Sequence, residues 1–173
     1  GIWKPRTCPG MFEGVGALGL KWLERVKKET GLKTATEVAN KDHVRLALEH
    51  DIDLLWIGAR STVSPFIVQE IADKVILVKN PVNPDLSLWI GAIERLLRAD
   101  IKNLGVIHRG FSTYEKTQYR NIPEWQLVIE LQNKFPDLPL ICDPSHITGK
   151  RCIPNRPGSE LQRTDDRDPL HPR

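Results

Sequence analysis

Aromatic residues make up only 6% of the 173-residue chain, and the formal net charge is just +3. Neither fits a protein that stacks bases on aromatic platforms along a strongly basic groove, so nucleic acid is not expected as a partner. Long apolar runs are missing too: none approaches the ~18 residues that a membrane-spanning helix needs. The three cysteines, Cys8, Cys142 and Cys152, form neither a metal-type spacing nor an even disulfide framework, which suits a reducing cytoplasm. No signal peptide is visible and the first residue is Gly rather than Met, so the sequence is read as beginning inside a longer protein. The stretch GVGALG (Gly14–Gly19) does not follow a strand as a dinucleotide-binding fingerprint must, and is discounted.

What is present is an alternation. Short, nearly continuous apolar runs at Thr34–Val38, Asp53–Ile57, Val75–Val78, Leu104–Ile107 and Leu138–Cys142 read as parallel strands buried on both faces, with Gly1–Trp3 as the end of another. Helical patterns lie between them. Gly14–Thr30 carries apolar residues at helical spacing (Leu18, Trp22, Leu23, Val26) and stops before Gly31, a C-cap position. Asn40 is positioned to cap Lys41–His50, and Ser64 followed by Pro65 opens Pro65–Asp73. Asp85–Ala99 and Glu124–Phe135 complete the series. Strands alternating with helices mean βαβ units and a parallel sheet.

Every run is followed by charged or hydrogen-bonding residues: Lys4, Arg6 and Thr7 after the first, then Glu37, Arg60, Lys79, His108–Arg109, and Asp143, Ser145 and His146. In a (β/α)8 barrel the C-terminal strand ends carry the active site, whereas a doubly wound sheet concentrates its site at one switch point. Equipped ends on every unit favour the TIM barrel. Only six units are found, so the barrel is incomplete. The span from Arg60 to Lys79 is short for a helix and a strand, because Asp73–Lys74 run directly into Val75; residues are expected to be missing there.

If these ends converge, five cations (Lys4, Arg6, Arg60, Lys79 and Arg109) share one concave site. That is unfavourable unless anions fill it, and arginine forks match phosphate and carboxylate oxygens. Two phosphorylated substrates, one also carrying a carboxylate, would fit. His146 is a candidate metal ligand or acid–base group. Asp143 and Glu37 are placed to orient a water, a lysine or the histidine. Tyr114–Asn121 reads as a polar loop over the mouth.

Taken together, KPRT (Lys4–Thr7), TEV (Thr36–Val38), IGAR (Ile57–Arg60), LVKNP (Leu77–Pro81), HRGFSTYEKTQYRN (His108–Asn121) and DPSHITGKR (Asp143–Arg151) resemble type I 3-deoxy-D-arabino-heptulosonate 7-phosphate (DAHP) synthases. Within these, the resemblance is to the group related to 3-deoxy-octulosonate 8-phosphate (KDO8P) synthase, and above all to the form fused to chorismate mutase in Bacteroidetes-type bacteria. KPRT and RGxxTYEKxxxRN separate it from the octulosonate enzyme, the alternative activity. The resemblance implies condensation of phosphoenolpyruvate with erythrose 4-phosphate, releasing phosphate, in the first step of the shikimate pathway. It implies that Arg60, Lys79 and Arg109 hold the phosphoenolpyruvate phosphate. Lys4 would lie between the substrates, and Arg6 and Thr7 would bind the phosphate of erythrose 4-phosphate. His146 would be one ligand of a divalent metal of Mn, Fe, Co or Zn type. A chorismate mutase domain and homo-oligomers are expected of the full-length protein.

The departures from the family pattern are equally specific. The first strand with its metal-binding Cys would precede Gly1, and the last-strand Glu and following Asp ligands should follow Arg151, where neither has a counterpart. Residues 1–151 are thus expected to form a partial barrel, about strands 2–7, with an incomplete metal site. A catalytically dead fragment that only binds phosphorylated ligands is the alternative reading. The tail at 152–173, rich in proline and charge, is expected to be irregular. It is read as out of frame: codons can be chosen for Gly158–Arg173 so that reading one base later spells ALNYNALMIETHYTP, where the family has a strand resembling DGLMIETH.

Overall fold

A computed structural model describes residues 1–148 apart from Pro5, Thr7, Lys102 and Lys116. The segment from Gly149 onward, with Arg151 and the expected out-of-frame tail at 152–173, lies outside the described residues. So does Thr7, one of the expected phosphate contacts.

Among the described residues five strands form one sheet: β1 (Ala35–Val38), β2 (Leu54–Ile57), β3 (Leu77–Lys79), β4 (Gly105–His108) and β5 (Leu140–Cys142). They lie in chain order, and every neighbouring pair is parallel. A helix fills each gap: α2 (Lys41–Glu49), α3 (Pro65–Ile71), α4 (Leu86–Arg98) and α5 (Trp125–Lys134). The helix α1 (Ala17–Thr30) precedes β1, and one helical turn, α6 (Pro144–Ile147), follows β5. A sheet that keeps sequence order throughout is a barrel wall, since a doubly wound sheet reverses order at its switch point. The barrel is not closed: among the described residues β1 and β5 are both edges.

Local chemistry sets the helix ends. Asn40 accepts from the His43 N–H at 2.8 Å, Ser64 precedes Pro65 at the first position of α3, and Gly31 closes α1 in the left-handed conformation with φ 71°. The first helix starts three residues later than its apolar pattern predicts. Gly14 and Gly16 have φ of 108° and 63°, and the N–H groups of Val15 and Gly16 are donated to the carbonyls of Gly1 and Ile2. A side chain at Gly14 would collide with the Ile2 carbonyl. The same contacts correct the expectation for Gly1–Trp3. That segment joins no sheet among the described residues; it is held against residues 13–16, with Ile2 buried in the core.

The short Arg60–Lys79 span closes without extra residues. The helix α3 is cut to seven residues, Lys74 donates to the Ile71 carbonyl, and β3 starts at Leu77 rather than Val75. Val75, fully buried, becomes part of the connection. The core is the helix-facing layer of the sheet, with Val38, Ile57, Val78 and Val106 at zero exposure beneath Val68, Trp89, Ile93 and Leu96. Each buried aliphatic side chain contributes about 1.5–3 kcal/mol, which is what fixes the strand ends in space. No helix among the described residues is long and apolar enough to cross a membrane.

Candidate active site

The C-terminal ends of the strands open onto one cavity of about 790 Å³, lined by Lys4, Arg6, Glu37, Arg60, Lys79, Arg109 and His146 among others. All five expected cations therefore reach the same space. Arg120, from the loop after β4, also lines it. Among the described residues, six cationic side chains thus face two carboxylates, Glu37 in the wall and Asp143 behind Lys79.

The two carboxylates differ in character. Asp143 is the hub of the β5 end: one oxygen takes Lys79 Nζ at 2.9 Å and His146 Nδ1 at 2.8 Å, and the other accepts from the Ser145 hydroxyl at 2.6 Å. Burial would raise its pKa, but hydrogen bonds from Ser145, Lys79 and His146 hold it well below the usual carboxylate range. Glu37 goes the other way. Burial pushes it up, against the pull of Lys79, the Trp56 indole and Arg60. Its carboxylate lies against Gly58, where a Cβ would collide with it.

Lys79 and Arg109 are both buried, each with 8% exposure. Lys79 Nζ sits 5.5 Å from the Trp56 ring centroid as well as against Asp143. Burial disfavours the charge on Arg109, and the neighbouring Arg120 and Arg60 disfavour it further, while Asp143 partly compensates. His146 is likewise depressed, first by burial and then by Lys79 and Arg109, against Asp143. Since Asp143 engages Nδ1, Nε2 is the ring atom left to meet a ligand.

Three positioning residues escaped the sequence reading. Asn80 is fully buried; its Oδ1 accepts the Arg109 N–H at 2.7 Å and its Nδ2 donates to the Pro81 and Gly110 carbonyls at 2.8 Å each. It ties the β3 end to the β4 end. The Thr62 hydroxyl lies within hydrogen-bond distance of the Lys79 and Gly58 carbonyls, 2.9 and 3.0 Å away. Asn121 donates its Nδ2 to the His146 carbonyl at 2.6 Å. Asn80 and Asn121 each directly follow a charged residue, Lys79 and Arg120, and that position next to a cavity cation is the signal the sequence offers for them.

The expected metal ligand is His146 alone. No group of three His, Cys, Asp or Glu side chains converges among the described residues, so they do not assemble a metal centre.

A parallel sheet in barrel order whose strand ends converge cations on one cavity narrows the choice of family. The model of the DAHP synthetase I family matches residues 1–159. The chain belongs to the DAHP synthetase I family. A similar curated relative is the phospho-2-dehydro-3-deoxyheptonate aldolase of Thermotoga maritima, 28% identical over 153 residues, covering 87% of this chain and 44% of the relative. The crystal structure of that bacterium's DAHP synthase superposes with a TM-score of 0.72 at 27% identity, covering 86% of this chain and 43% of the other. A truncated form of the 3-deoxy-D-arabino-heptulosonate 7-phosphate synthase from Thermotoga maritima gives 0.69 at 25%, covering 86% and 53%. The chain thus spans about half the length or less of these DAHP synthases. Both superpositions agree with the barrel-wall topology.

Proposed function

We propose that this chain is part of a 3-deoxy-7-phosphoheptulonate synthase, a transferase that condenses phosphoenolpyruvate with erythrose 4-phosphate and releases phosphate. The observation that carries this reading is the excess of cations in one cavity: among the described residues six basic side chains face two carboxylates, one of them already paired. Such an excess needs anions, and the two substrates bring two phosphates and a carboxylate. Family membership names the substrates that fit.

In this reading Arg60, Lys79 and Arg109 take the phosphoenolpyruvate phosphate, with Asn80 and Thr62 holding the backbone beneath two of them. Lys4 lies between the phosphoenolpyruvate carboxylate and the aldehyde oxygen, and Arg6 with Thr7 takes the second phosphate. Glu37 and Asp143 balance and orient these cations. His146, oriented through Nδ1, offers Nε2 as one ligand to a divalent ion of Mn, Fe, Co or Zn type. The family reading further assigns the cytoplasm as location, and a fused chorismate mutase domain and homo-oligomers to the full-length protein.

A second reading, binding without turnover, is favoured by the lack of converging metal ligands among the described residues. Product formation from the two substrates with excess Mn2+, beside His146→Ala, separates the two. Turnover abolished by the substitution establishes the synthase and a metal site completed elsewhere. A folded chain that binds phosphoenolpyruvate but never turns over is a binder alone. Failure to bind phosphoenolpyruvate removes both readings.

A further inference from the structure

We propose that Arg120 is a third guanidinium of one anion cradle, joining Arg60 and Arg109 around a single phosphate monoester. The inference rests on the reading above and adds a ligand to it. Arg120 lines the same cavity as Arg60 and Arg109. It makes no ion pair with a described carboxylate, and neither does Arg60. Both charges also disfavour that of the buried Arg109, which lines the cavity with them.

The backbone carrying Arg120 is held in place. Its N–H donates to the Ile147 carbonyl at 3.0 Å, Asn121 donates to the His146 carbonyl, and Tyr119 forms an antiparallel bridge with Thr148. Residues 119–121 therefore form a short strap stitched to the turn that bears His146. A loose arginine over a mouth would be a solvated charge; an arginine on a fixed strap beside two others is a preorganised ligand. A carboxylate has two oxygens and a single negative charge. A phosphate monoester has three terminal oxygens and a second negative charge, and can engage three forks. That selects the phosphate rather than the carboxylate as the occupant.

The test is calorimetric titration of the whole chain with phosphoenolpyruvate and, separately, inorganic phosphate at low ionic strength. The variants are Arg120→Ala, Arg120→Lys, Arg109→Ala and, as a remote control, Arg98→Ala. Loss of one charge-assisted contact weakens binding by roughly tenfold or more. The expected result is that loss in Arg120→Ala for both ligands, partial recovery in Arg120→Lys, and parent affinity in Arg98→Ala. If Arg109→Ala weakens binding but Arg120→Ala matches the parent, Arg120 is outside the cradle and the functional reading stands. If the parent binds neither ligand, the functional reading fails and takes this inference with it. If Arg120→Ala and Arg120→Lys lose binding equally and both unfold at lower urea, the residue acts structurally and the proposal is wrong.

Discussion

His108 ends β4 one residue before an arginine of the cavity, yet its fully buried ring packs between Phe111 and Trp125, with centroids 5.9 and 4.9 Å away. Burial lowers its pKa and the Arg109 charge adds to this, against the Pro123 backbone. A lowered histidine pKa means that the unfolded chain takes up the proton first. Stability is therefore complete above the unfolded value of about 6.5 and is lost as pH falls from there toward the folded value. His43 and His146 are shifted the same way, so the contribution of His108 must be read as a difference. The urea midpoint of the parent should fall more than that of His108→Phe between pH 7.5 and pH 5, taken as roughly one unit above and one and a half below the unfolded value. A constant gap between the two proteins across that range would show that His108 is not the titrating group. Asp143 does not interfere: its depressed pKa costs stability only as pH falls below about 4.

At the scale of elements, the sequence carried the alternation and the caps. Asn40, Ser64 and Gly31 act through contacts within one turn, so their letters suffice. It carried less of what depends on distant neighbours. In α1 the periodicity marks Leu18, Trp22, Leu23 and Val26 as one apolar stripe. In the fold Leu20 is the fully buried residue, whereas Leu18, Trp22 and Val26 are 52%, 53% and 42% exposed. A stripe reports that a surface wants covering and not which neighbour covers it. The site was legible in the same uneven way. Charged residues after strands announce themselves, but Asn80 and Asn121 matter through bonds to carbonyls on other loops. The helix gives a direct check. Leu20→Ala should cost about 2–5 kcal/mol as a core truncation, and Leu18→Ala should stay within about 0.5 kcal/mol as a surface change. Equal losses in urea unfolding would mean that the stripe is packed in solution.

The stripe on α1 is half of a property of the whole molecule. At the other edge of the sheet, Ile141 and Cys142 of β5 are exposed, as are Trp125 and Ile129 of α5 at 51% and 54%. Among the described residues both sheet edges are thus unpaired, with uncovered apolar side chains on β5 and α5 at one end and on α1, the helix that precedes β1, at the other; folded proteins guard against this combination because another chain can add to it. An edge at β1 meeting an unlike edge at β5 of another copy would be a head-to-tail contact, and such contacts propagate unless the rotation closes them. Sedimentation velocity over a concentration series should therefore show self-association of this chain. Charges placed on one edge, Ile129→Glu with Ile141→Lys, should suppress it without lowering the urea midpoint, since neither side chain is in the core. Phe66→Ser makes the matched control: that side chain is 88% exposed but lies on α3, away from both edges, and its removal should leave association unchanged. A parent that sediments as one monomer at every concentration would mean that the edges are covered in solution, and the open barrel would then be the wrong description of the isolated chain.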